Sequence, residues 1–126
     1  MIHDEVLHLL AVAERYFTGP DYTTICETAK KHWSAGRSDA TLTELRKLPT
    51  AEQLLDRLIE KLKGKSVEKT LKAIREGKAA DNSVVAMMGL SSLLTHVLIE
   101  MKQGRREFGI LVPIIFEKMG DKVYSL

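Results

Sequence analysis

The residues best spaced for chemistry are two pairs of glutamate and histidine, each suited to one face of a helix. Glu5-Val6-Leu7-His8 has the Glu-x-x-His spacing that di-iron proteins place on inward-facing helices. His96 and Glu100 lie one helical turn apart, so they share a face. A di-iron site needs the first motif twice with two further glutamates, and the second pair has no evident third ligand. We therefore predict no metal site and no cofactor.

Nucleophilic catalysis has one candidate thiol, Cys26. His32 lies six residues further on, about 120° around the same helix, so the two side chains would not meet. The sequence has no Gly-x-Ser-x-Gly elbow, no glycine-rich phosphate loop and no dinucleotide-binding fingerprint. We predict that the protein is not an enzyme and has no small-molecule substrate.

Positive charge is concentrated in residues 61–78. This segment has seven Lys and Arg against two Glu, a net charge of +5, whereas residues 1–60 carry −3 and residues 79–126 are neutral. Such a surface could follow a nucleic-acid backbone by neutralising phosphates, although no aromatic side chain lies within it to stack on bases. A solvated helix face and a site for an acidic protein remain alternatives. The candidate nucleic-acid-binding residues are Lys61, Lys65, Lys69, Lys72, Arg75 and Lys78.

The element that must position the others is the segment 82–99, which is eighteen residues long and has no formal charge. Its apolar residues recur at helical spacing, so we predict a central hydrophobic helix over about 83–103, capped by Asp81, Asn82 or Ser83. Gly89 and the nearby serines interrupt the apolar run, which argues against a membrane span and predicts a close helix crossing. The apolar stripe at helical spacing comprises Val84, Met87, Met88, Leu94, Val97, Leu98 and Met101, and Val85, Leu90 and Leu93 extend the apolar surface beyond it, so we predict that neighbouring helices cover this helix on several sides.

Periodicity and punctuation predict the remaining helices. The predicted elements are a helix over 3–17, a second from Asp21 or a capping box at Thr24–Glu27, a loop over 34–39, a short helix over 40–48, a helix over 50–62 with a capping box at Thr50–Gln53, one from Ser66 to Gly77, and a last helix with Pro113 in its first turn that ends at Gly120, followed by an extended tail over 123–126.

These elements predict an all-α fold, a compact bundle of six to seven short helices around the central helix, in a single domain over 1–126. A chain of 126 residues is large enough to bury roughly two-thirds of its unfolded surface. The single cysteine excludes an internal disulfide, and the first residues do not read as a signal peptide. We expect a cytoplasmic protein.

Two functional hypotheses follow. The first is a non-enzymatic helical interaction module, a small subunit or adaptor that docks a protein partner or further copies of itself. The second is an accessory subunit of a nucleoprotein complex that contacts the nucleic-acid backbone through residues 61–78. Small helical subunits of CRISPR effector complexes have this general size and character, an analogy of class that no motif carries.

Overall fold

The fold is all-α, as predicted. The computed structural model describes residues 2–77 and 84–125, with the backbone alone for 84–85 and 120–125. Seven α-helices and two short 3-10 helices, but no strand, occupy these residues. The α-helices are α1 (Ile2–Tyr16), α2 (Thr23–Ser34), α3 (Ser38–Leu45), α4 (Ala51–Lys61), α5 (Glu68–Arg75), α6 (Val84–Lys102) and α7 (Leu111–Ser125), and the 3-10 helices are Pro20–Tyr22 and Arg106–Ile110.

The chain divides into two compact units. The first comprises Met1–Pro49 and Gly104–Glu107. In it α3 packs against both α1 and α2. Phe17 and Tyr22 meet edge to face with ring centroids 5.0 Å apart, and the Tyr22 hydroxyl donates a 2.9 Å hydrogen bond to buried Glu107. Its buried apolar side chains are Val6, Ala13, Phe17, Tyr22, Ala29, Leu42, Leu45 and Leu48.

The second unit comprises Thr50–Gln103 and Phe108–Leu126. In it α4 packs against α5, α5 against α6 and α6 against α7, and α4 also contacts α7. Thr50 and Gln53 form the predicted capping box at the start of α4. The core of this unit consists of Leu54, Leu55, Leu58, Leu62, Val67, Leu71, Leu90, Leu93, Val97, Phe108, Leu111 and Ile115.

The close helix crossing predicted at Gly89 is present. Gly89 of α6 lies against the side chain of Thr70 on α5. The burial of α6 follows the prediction only in part, because Leu90 and Leu93 are buried as expected, whereas Met88 and Leu98 are 65% and 50% exposed. A helix that is apolar almost all round gives little contrast between its faces, so spacing alone does not identify the buried one.

Four local predictions are wrong. α2 has no capping box, because it continues from the preceding 3-10 turn, where Pro20 O accepts the Thr23 N–H. α3 begins at Ser38, inside the predicted loop. α5 begins at Glu68 with Val67 as N-cap, so Ser66 does not cap it. α7 has Pro113 in its first turn as predicted, but it continues past Gly120 through Ser125, where an extended tail was expected.

Other predictions have no test within residues 2–77 and 84–125. The single domain over 1–126 and the central position of α6 stay predictions. Caps at Asp81, Asn82 or Ser83 lie outside the described residues.

Over the described ranges, no helix has both the length and the apolar character needed to cross a lipid bilayer.

Candidate interaction surfaces

Lys61 is the first residue of the predicted basic surface, and it is paired with a buried carboxylate. It is the last residue of α4, and its ammonium group forms an ion pair with Glu100 of α6. Glu100 is only 4% exposed, so its charge has lost most of its hydration. Separating a buried carboxylate from its cation costs free energy. The main role of Lys61 is therefore to stabilise the fold.

Lys72 and Arg75 are also paired. Lys72 lies 3.5 Å from Glu68, one turn earlier on α5. Arg75 Nε donates a 2.9 Å hydrogen bond to Asp56 of α4, and its guanidinium lies 3.8 Å from Glu52. These carboxylates cancel much of the field that the two cations would present to a phosphate. The predicted residue Lys78 lies outside the described residues.

The unneutralised part of the basic segment surrounds the turn between α4 and α5. Lys63, Lys65 and Lys69 are exposed, and none of the three forms an ion pair within the part of the chain that the structure describes. Gly64, with φ +83°, reverses the chain between them. We call these three residues the lysine turn. Lys65 and Lys69 belong to the predicted set and Lys63 does not, although its place beside Gly64 is typical of a turn residue.

Glu68 is an acidic residue beside the lysine turn. Its side chain accepts a 3.0 Å hydrogen bond from the Gly64 N–H. That hydrogen bond, followed by the charges of Lys72 and Lys63, lowers the pKa of Glu68 below its ordinary value. Glu68 therefore stays ionised at neutral pH and fastens the turn to the first residues of α5. Residues 63–72 hold four lysines against this one glutamate, a net charge of +3.

A second surface is the exposed side of α6. Met88, Leu98 and Ile99 are 65%, 50% and 44% exposed. Exposed Ser91 and Thr95 lie between them on the same side, and the Thr95 hydroxyl donates to Ser91 O at 3.1 Å. No charged residue occurs between 88 and 99. We call Met88, Ser91, Thr95, Leu98 and Ile99 the α6 open face, a surface that sequence reasoning assigned in part to the core.

Both glutamates considered for metal binding, Glu5 and Glu100, form ion pairs with basic side chains. Glu5 pairs with Arg46 at 3.0 Å, and Glu100 pairs with Lys61. Across residues 2–77 and 84–125, no three His, Cys, Asp or Glu side chains are grouped to hold a metal ion.

Cys26 lines a cleft of about 290 Å³ in the first unit, together with Lys30 and Glu27. Its thiol donates to Phe17 O at 3.7 Å. Burial raises the pKa of the thiol, and the nearby charge of Lys30 acts in the opposite direction. The thiol is therefore protonated at neutral pH, and a protonated thiol is a poor nucleophile.

Comparison with protein-family models, with curated proteins and with solved structures gives no match to this chain. Its function is therefore argued from the chemistry of the lysine turn and the α6 open face.

Proposed function

We propose that this chain is a non-enzymatic helical interaction module, a small subunit or adaptor of a larger assembly that acts in the cytoplasm. The observation that supports this proposal is the α6 open face. Single exposed apolar residues are normal on protein surfaces. Three large ones within three turns of one helix, with no charge among them, form a patch of the kind found at protein–protein contacts.

The composition of the α6 open face suits the centre of an interface. Such centres are depleted in charged residues and enriched in methionine. Met88 is flexible and polarisable, so it adapts to a partner surface at low cost in strain. The Thr95 hydroxyl has its hydrogen bond within α6 and need not be satisfied by a partner.

Light scattering at two protein concentrations tests whether the partner is a second copy. We expect concentration-dependent association that is lost when Met88→Gln and Ile99→Gln are combined. Leu7→Gln is a matched control, because Leu7 is also a large apolar residue with 46% exposure but lies on α1. It should leave association unchanged.

If the protein is monomeric at both concentrations, the proposed partner must be a different protein, and a second experiment tests for it. A photo-crosslinking residue at position 88 should then yield a discrete adduct in the cells that produce the protein, and the same residue at position 7 should not. A strict monomer that yields no discrete adduct at position 88 would contradict the proposal.

Our second proposal is an accessory subunit of a nucleoprotein complex. It is supported by the lysine turn, where three exposed cations form no ion pair within the described residues. A gel shift with single-stranded RNA or DNA that is strong at low salt and lost at high salt supports it. The absence of a shift at every salt concentration would remove it.

A further inference from the structure

We propose that the lysine turn, and not the basic segment 61–78 as a whole, holds the sugar–phosphate backbone of a nucleic acid through sequence-independent contacts. This inference rests on the second proposed function. It replaces the six residues chosen from sequence by Lys63, Lys65 and Lys69, and it assigns Lys61, Lys72 and Arg75 to intramolecular ion pairs.

The ion pairs divide the segment for a thermodynamic reason. A cation that binds a phosphate gains affinity chiefly by releasing counterions condensed on the nucleic acid. A cation already paired with a carboxylate must first give up that pair, so its net contribution is small. For Lys61 the exchange would also leave Glu100 buried without this partner.

The lysines of the lysine turn have no ion pair to give up before they bind a phosphate. Lys65 lies in the turn and Lys69 in the first turn of α5, four residues further along the chain. Like charges this near to each other in sequence at one exposed turn repel each other in the free protein. A phosphate placed between them removes that repulsion, and the exposed side chains need no rearrangement of the fold to reach it.

The surroundings of the turn favour a nucleic-acid backbone over an acidic peptide. Protein interfaces depend on buried apolar anchors, commonly aromatic residues. At the turn, Gly64 and Ser66 are exposed and have no apolar side chain that could line a pocket for such an anchor. Backbone binding requires only positive charge, and lysine supplies it as a point charge without a fixed geometry.

A fluorescence-polarisation titration of a labelled single-stranded oligonucleotide at several salt concentrations tests the inference. Three phosphate contacts predict a slope of about −2 for log K against log salt, so affinity should fall roughly sixteen-fold when the salt concentration is raised four-fold. A duplex with the same contacts should give about −2.7, which distinguishes the two forms of nucleic acid.

Two double variants with the same change in net charge provide the comparison. Lys65→Gln with Lys69→Gln should reduce the single-strand slope to about −0.7, because one contact remains. Lys72→Gln with Arg75→Gln should leave a slope near −2. Circular dichroism of both variants checks that the helices are retained, which we expect because all four side chains are exposed.

Equal loss of slope in the two double variants would overturn the inference, because net charge would then explain the binding. A slope that survives Lys65→Gln with Lys69→Gln would overturn it too, but would leave the second proposed function standing. Binding of polyglutamate in place of nucleic acid would assign the turn to an acidic protein and overturn both. None of these results affects the α6 open face.

Discussion

Gly89 of α6 packs directly against the side chain of Thr70 on α5, and a methyl group at position 89 would overlap the Thr70 hydroxyl. The same methyl group would lie 3.4 Å from Thr70 Cβ, which is ordinary contact. The overlap therefore depends on one atom, Thr70 Oγ1. Glycine at 89 is a packing requirement of the α5–α6 crossing, since its backbone there is helical and needs no special φ.

Gly89→Ala should destabilise the protein by up to about 2 kcal/mol. Overpacking costs about 1–3 kcal/mol, and the better helix propensity of alanine offsets about 1 kcal/mol. In a Thr70→Ala background the overlap is gone, so the same substitution should be neutral or stabilising. Urea unfolding of the parent protein, the two single variants and the double variant measures their free energies of unfolding. These values show whether the effect of Gly89→Ala changes sign in the Thr70→Ala background.

Ser91→Ala is a suitable control for the Gly89 experiment, because Ser91 is exposed on the same helix. It should change stability by less than about 0.5 kcal/mol. If Gly89→Ala has the same effect in the parent protein and in the Thr70→Ala background, the crossing is looser than the structure shows.

Lys61→Met should destabilise the second unit by about 1–3 kcal/mol, because it leaves the buried Glu100 carboxylate without its ammonium partner. Methionine keeps the aliphatic part of the lysine side chain, so packing changes little. Changing both residues, Lys61→Met with Glu100→Met, should recover most of the loss, since an apolar pair can replace a buried ion pair at little cost. Thermal unfolding is the measurement.

Lys72→Met is the matched control for the Lys61 experiment. Its partner Glu68 has a more exposed carboxylate, and exposed ion pairs contribute about 0–1 kcal/mol. Equal destabilisation by Lys61→Met and Lys72→Met would mean that burial of Glu100 does not govern the pair.

The fold class followed from the sequence because helical periodicity and capping are local properties. The capping box at Thr50–Gln53 formed where the Thr-x-x-Gln spacing predicted it. Helix ends were less predictable, because they depend on the packing of the residues beyond them. The chain turns with positive φ at Gly64, just beyond the end of α4 at Lys61, yet α7 continues through Gly120.

The candidate surfaces were only partly predictable, because sequence shows charge but not pairing. Lys61 and Lys65 look equivalent in the sequence, and only the fold brings Glu100 to the first of them. The α6 open face was hidden for a related reason. Met88 and Leu93 are both apolar, and only packing with the neighbouring helices shows that the second is the buried one.

Tyr22→Phe should destabilise the first unit by about 1–3 kcal/mol, because it removes a donor from a buried carboxylate. The Tyr22 hydroxyl donates to Glu107, which is 6% exposed. Tyr16→Phe, in the same unit and less buried, is the control and should change stability by less than about 0.5 kcal/mol. Urea unfolding compares the two, and similar effects would show that the hydrogen bond contributes nothing specific.

The reactivity of Cys26 should depend on pH in a direction set by its burial. Burial raises the pKa of the thiol in the folded protein, although the charge of Lys30 opposes the change. The folded chain therefore holds the thiol proton more tightly than the unfolded chain. The stability linked to this proton is fully present below the pKa of the thiol in the unfolded chain. It is lost as the pH rises through the pKa of the thiol in the folded chain.

Alkylation by iodoacetamide from neutral to alkaline pH measures this pKa, because only the thiolate reacts. The midpoint of the rate should lie above that of the same chain unfolded in urea, whatever the effect of the cleft on the maximal rate. Lys30→Gln should move the midpoint further up, since it removes the opposing charge. Glu14→Gln, on the same cleft but acidic, should not raise it. A midpoint at or below that of the unfolded chain would contradict the raised pKa and would show that Cys26 is an activated thiol.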